Sequence, residues 1–294
     1  MSGNRLLAGV HHSGGAVRRA RRLIGLVVIA GFVLGTTFAA RAAVVRQPYL
    51  QLDTPTSITV VWRTDNATDS RVRYGTVQGS LTSTATSATV GTSHIVTITG
   101  LSPGTKYFYD AGSTSVVQAG GTAEHYFVTA PTPGTSPSFR AWIVGDSGTG
   151  GSDQIAVRNA MTAFTGAARP DLMLHVGDIA YTSGSETEFT DFHFTMYQDI
   201  LRHTTHWPTL GNHEGASTTS GQPGASSGPY YDAFVLPTAA EAGGVASGTE
   251  AYYSFNYGNT HFISLNSYQV SRSASGPLPM SGRSDRHSSS IGIG

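Results

Sequence analysis

The chain has 294 residues, enough for two domains and a sizeable core, with 18 basic and 18 acidic side chains and no cysteine. The lack of cysteine excludes disulfides, zinc-thiolate sites and cysteine nucleophiles. Six basic residues (Arg5, Arg18, Arg19, Arg21, Arg22, Arg41) and no acidic ones precede Ala43, which leaves 12 basic against 18 acidic residues beyond it; this acidity argues against nucleic acid, whose phosphates need a basic patch.

Residues 1–42 have the layout of a secretory signal peptide: an arginine cluster, the apolar run Leu23 to Phe38, then Ala40-Arg41-Ala42 as a small-x-small cleavage site. The expectation is a secreted, periplasmic or cell-envelope protein, with membrane attachment only if the leader stays uncleaved. Residues 44–130 read as all β. Ile58, Val60 and Trp62 alternate with Thr59, Val61 and Arg63, Val72 and Tyr74 keep the period, and His94 to Thr99 and Tyr107 to Tyr109 add strands. These predict the half-buried strands of a sandwich. His94 and His125 stand singly among strand residues and are read as structural. Residues 131–137, with three prolines, predict a semi-rigid linker.

From residue 138 the pattern changes to α/β. Ala141-Trp142-Ile143-Val144 and Leu172-Met173-Leu174-His175-Val176 read as strands buried on both faces, and Pro208-Thr209-Leu210 as a weaker third. Val157, Ala160, Met161 and Phe164 predict an amphipathic helix covering one sheet face. Phe189, Phe192, Met196 and Ile200 predict a second helix. The order strand, helix, strand, helix, strand implies a parallel sheet with right-handed crossovers. Further on, Ala251 to Tyr257 and Thr260 to Leu265 alternate around Gly258-Asn259, a hairpin signal. The loop from Gly215 to Gly248 is expected to shape substrate access.

Each predicted parallel strand ends in a polar block: Gly145-Asp146-Ser147-Gly148, Gly177-Asp178-Ile179-Ala180-Tyr181, and Gly211-Asn212-His213-Glu214. Ligands of open α/β sheets gather at the carboxyl ends of the strands, so these residues are expected to converge. Two carboxylates, an amide oxygen, a phenol and one imidazole form a hard, oxygen-rich set suited to divalent or trivalent metals. A carboxylate shared by two ions suits in-line displacement at a phosphate ester.

The three blocks resemble the first three motifs of the calcineurin-like metallophosphoesterases, and specifically the purple acid phosphatases. Gly148 stands where the wider family carries a histidine, and Tyr181 is gained in the second block. The preceding domain, with the corner Leu101-Ser102-Pro103-Gly104-Thr105-Lys106-Tyr107, resembles a fibronectin type III fold and fits that family's layout. The resemblance implies a secreted metal-dependent phosphomonoesterase of the acid phosphatase type. Its cofactor would be a dinuclear centre of Fe(III) plus a divalent Fe, Mn or Zn, with a metal-activated hydroxide as nucleophile. Asp146 and Tyr181 would bind the ferric ion, Asp178 would bridge, and Asn212 would bind the second metal. His213 would be the catalytic residue at the phosphate, oriented by Glu214 standing behind it. A small-molecule phosphate ester is the implied partner.

The family's V-x-x-H and G-H-x-H motifs, which supply the remaining histidine ligands, do not occur. The expectation is an α/β domain over 138–277 that is incomplete at its C-terminus, an irregular tail over 278–294, and impaired activity. His175 reads as a core residue, His203 and His206 as a solvated helix terminus, and His261 as part of the hairpin. Two other readings compete. One is a non-catalytic secreted module carrying a phosphoesterase remnant. The other is a serine hydrolase of the GDSL type, with Ser147 as nucleophile and Asp285 and His287 as partners. No Lys-Ser/Thr follows the glycines near residue 150, which excludes a phosphate loop.

Overall fold

A computed structural model describes residues 42–220, 226–269 and 291–293. The expected leader, apart from Ala42, lies outside them, as do Asp285 and His287. No helix among the described residues is long and apolar enough to cross a membrane.

The first region is built from β1 (Val44–Gln51), β2 (Ser57–Gly75), β3 (Ser83–Thr99), β4 (Lys106–Gly112), β5 (Val117–Gly120) and β6 (Tyr126–Val128). β2 and β3 form one long antiparallel hairpin with register shifts between Arg63 and Ser70. The first half of β2 pairs with β1 and the second half with β4, so β2 changes neighbours at that irregularity. The corner at Tyr107 forms as its sequence suggests: its phenol oxygen accepts the Ser102 amide at 3.0 Å. His94 and His125 are buried, and each bonds a hydroxyl neighbour.

The start of β2 is not half-buried, because every residue from Ile58 to Trp62 is buried. Ile58, Val60 and Trp62 pack with Leu50 in the core of the first region. Val61 and Tyr49 instead enter the core of the second. The β1–β2 layer therefore has a hydrophobic core on each face, and strict alternation of apolar and polar residues is lost.

The second region holds β7 (Ala141–Val144), β8 (Leu172–His175) and β9 (Thr205–Pro208), which are parallel and adjacent in the order β7-β8-β9. The free side of β9 takes β1 in parallel register, Leu50 opposite Thr205, so one sheet runs through both regions. α1 (Ser152–Thr165) follows β7. α2 (186–201) follows β8 and has a π-helical centre, Phe189–Phe194, before the regular turns Thr195–Leu201. Beyond the third block come α3 (Pro229–Ala233), the hairpin of β10 (Tyr253–Tyr257) and β11 (Thr260–Ser264), and β12 (Ile291–Ile293). β12 pairs with β11, so these tail residues are extended and not irregular. The linker is pinned just before its start, by Ala130 N–H on Asp53, and at its middle, by Gly134 N–H on the Gly258 carbonyl.

Three further expectations are corrected. Val157 and Phe164 of α1 are exposed, Phe164 at 92%, while Met161 packs against the core and polar bonds add to the tie with α2. Gln154 donates to the Phe192 carbonyl and Arg158 to the Met196 carbonyl. In α2 the inward residues are Phe189, His193, Phe194, Tyr197, Ile200 and Leu201. His193, four residues after Phe189, is buried where Phe192 was expected, and it lies within the π-helical turns. Finally, His203 and His206 are buried, not solvated. The helix ends at Leu201, His206 lies within β9, and His203 stacks on Tyr126 of the first region.

Candidate active site

The three polar blocks meet at the carboxyl ends of β7, β8 and β9. Asp146 and Asp178 each adopt left-handed backbone, with φ of 53° and 55°. Aspartate tolerates that region better than most residues because its short side chain bonds locally. The tips interlock through main-chain bonds: Asp146 N–H to Gly177 O, Ser147 N–H to Asp178 O, and Tyr181 N–H to Gly148 O at 2.8 Å.

Glycine is required at two of these contacts. A Cβ on Gly148 would lie 1.9 Å from the Ile179 carbonyl oxygen, so no side chain of any kind fits there. A Cβ on Gly211 would lie 2.2 Å from both the amide and the carboxylate of Asp178. The first block can therefore supply no ligand from position 148, and the phenol of Tyr181 fills the space between the two carboxylates. Its hydroxyl donates to Asp146 Oδ1 and Asp178 Oδ2, each at 3.2 Å. Burial, then the negative charges of Asp178 and Asp146, push the phenol above its ordinary range. Only a cation at this point would favour losing that proton.

His213 lies against Tyr181, with ring centroids 4.2 Å apart. Its own amide donates to Asp178 Oδ1 at 3.1 Å. Its Nδ1 sits 2.6 Å from the Thr182 carbonyl, which can only accept, so Nδ1 carries the proton and Nε2 is left for chemistry. Asn212, between Gly211 and His213, is exposed.

The orienting partner expected for His213 is replaced. Glu214 is fully buried and does not bond the His213 ring. Its carboxylate accepts four amides: Asp178 at 3.0 Å, Ile179 at 2.7 Å, Ala180 at 2.9 Å and Gly211 at 2.9 Å. Burial raises its pKa, and the amides of Ala180, Gly211 and Ile179 oppose that rise. Glu214 thus fixes the Asp178 turn, while Thr182 orients the histidine.

Ser147 does not fit a nucleophile's role. Its Oγ lies 2.8 Å from His175 Nε2, but His175 is fully buried, and burial pushes that imidazole down to about 3. Such a ring is a poor proton acceptor, and no carboxylate bonds its other nitrogen. Asp146, Asp178, Tyr181 and Asn212 fit hard metal ions by their chemistry and by the packing of a phenol between two carboxylates. Among the described residues, no group of three or more His, Asp or Glu side chains closes around one point.

Sequence reasoning missed Thr182, Glu188 and His193. Only Glu188 leaves a readable sign, since Ser185-Glu186-Thr187-Glu188 is a helix-capping pattern.

Residues 45–129 match the family described as Purple acid Phosphatase, N-terminal domain, and residues 139–281 match Calcineurin-like phosphoesterase. Acid phosphatase type 7 of Danio rerio is 29% identical over 226 residues, covering 71% of this chain and 45% of that protein. Purple acid phosphatase 23 of Arabidopsis thaliana is 29% identical over 272 residues, covering 74% of this chain and 56% of that protein. The chain therefore spans about half the length of these curated relatives. Among solved structures, PhoD shares the fold, with a TM-score of 0.53 and 14% identity over 74% of this chain and 51% of PhoD.

Proposed function

Because this chain belongs to the calcineurin-like phosphoesterases, in their purple acid phosphatase branch, we propose that it is a metal-dependent phosphomonoesterase acting on small-molecule phosphate esters. The carrying observation is the convergence of Asp146, Asp178 and Tyr181 oxygens beside His213 at adjacent strand tips. Asp146 and Tyr181 would hold a ferric ion, Asp178 would bridge it to a divalent ion, and Asn212 would bind the second. The ions would polarise the phosphoryl oxygens and lower the pKa of water. Asp178, fixed by Glu214, sets the spacing of the site. His213 presents Nε2 to the ester, where in its protonated form it donates to the developing charge or to the leaving alkoxide. The leader supports secretion, and the Tyr107 corner supports a fibronectin III-like first domain.

The test is hydrolysis of 4-nitrophenyl phosphate by the purified chain supplied with iron and a divalent metal. Activity lost in Asp178→Asn and kept in Ser147→Ala supports this reading. The reverse pattern would move the chemistry to the serine. A binding-only module is the second reading. It predicts no bound metal and no turnover.

A further inference from the structure

We infer that Glu188 is a positioning residue for His213, acting through the loop 182–185. The inference rests on the reading of His213 as the group that meets the ester. Glu188 lies in the first turn of α2, and its carboxylate turns back onto that loop. It accepts the amides of Thr182, Ser183 and Ser185, the last two at 3.1 Å and 2.9 Å, and the Ser183 hydroxyl at 3.0 Å. Both oxygens are used. Partial burial opposes the charge, but the amides of Ser185, Ser183 and Thr182 outweigh it and hold the carboxyl down to about 2.

Thr182 joins the two ends of the device. Glu188 grips its N–H, and its carbonyl receives Nδ1–H of His213. The loop has no slack against the third block. Gly184 has φ of 63°, and a Cβ there would lie 2.5 Å from Glu214 Cα. Its carbonyl accepts the Ser217 hydroxyl at 2.7 Å. A helix-capping box alone would need only the reciprocal bonds between Ser185 and Glu188. The bonds to Thr182 and Ser183 go beyond a cap, and they act on the residue that selects the tautomer of His213.

Three variants of the full chain separate positioning from capping. Glu188→Ala removes the loop clamp and the cap together. Glu188→Gln keeps one acceptor oxygen. Ser185→Ala removes the hydroxyl that accepts the Glu188 amide, and leaves the clamp. Two readouts are needed: long-range 1H–15N correlations of the His213 ring in metal-free protein, and kcat and KM on 4-nitrophenyl phosphate. Wild type should show Nδ1–H. Glu188→Ala should mix the tautomers and lower kcat by about 10–100-fold with KM nearly unchanged, as expected for an outer partner of a site residue. Glu188→Gln should lie between and carries the test if the alanine variant fails to fold. Ser185→Ala should keep the wild-type tautomer while melting at a lower temperature. An unchanged tautomer in Glu188→Ala, or the same mixture in Ser185→Ala, overturns the proposal. A tautomer shift in a chain that hydrolyses no phosphate overturns the phosphatase reading and leaves the positioning role standing.

Discussion

Asp146 and Asp178 stand in mirror roles on neighbouring strand tips, both in left-handed backbone. For most non-glycine residues that conformation costs roughly 1–3 kcal/mol, so the main-chain bonds between the tips must hold it. Gly148 is where those bonds leave no room. Gly148→Ala should force the tips apart and lower kcat/KM by about 100-fold, the order expected for a displacement near 1 Å. Gly151→Ala is the control, because its Cβ would only meet Thr149 Oγ1 at 3.5 Å; its melting temperature and activity should match wild type. The site's carboxylates, phenol and imidazole were legible in the sequence because each follows a short apolar strand. The work of Glu214 and Thr182 was not. Both act on or through backbone groups, which every residue carries, so no residue pattern marks them.

At the scale of elements, periodicity placed helix α2 but chose Phe192 over His193, because an apolar ring was preferred to an imidazole at neighbouring positions. The π-helical turns insert His193 among Phe194, Tyr197 and Phe234, with His206 at 4.8 Å and His175 at 5.7 Å between ring centroids. Burial depresses all three imidazoles below the ordinary 6.5, His175 to about 3 and His193 and His206 well below it. His125 and His203 fall to about 4 for the same reason. Below 6.5 the unfolded chain takes up protons that the folded chain refuses. Stability is therefore complete above the unfolded value and drains away as pH falls toward the folded values, by up to about 1.4 kcal/mol per pH unit for each histidine. Thermal melts should show a lower midpoint at pH 4.5 than at pH 7. His193→Leu should narrow that gap, because no ring nitrogen of His193 bonds a protein atom and an apolar side chain loses nothing there. Equal midpoints at the two pH values would contradict the account.

The molecule as a whole is joined more closely than a linker between two domains implies. Composition alone divides it at residues 131–137, and the two matched families divide it in the same place. The sheet does not, since β1 pairs with β2 on one side and β9 on the other. Gln51 donates to the His206 carbonyl at 2.7 Å and accepts the Val235 amide at 3.2 Å, and Tyr49 donates to the Ala233 carbonyl. Gln51→Ala should destabilise the whole chain by about 1–3 kcal/mol, since one buried and one half-buried backbone group lose their partners; a single, lowered denaturant midpoint would show it. A fragment starting at residue 138 should lack a cooperative melt, because β9 loses its pairing with β1 and the His206 carbonyl loses its Gln51 donor. These cross-links were illegible because they join residues more than 150 positions apart through main-chain atoms.

The double membership of β1 also bears on how such proteins can be recombined. A chimera that takes its first domain from a relative and is spliced at the proline-rich connector imports a foreign β1 into the second core. Positions 49, 50 and 51 then come from one parent, and the strand and helix they serve from the other. Donors cut at the connector should succeed only where they also bring a phenol at position 49 and an amide at position 51.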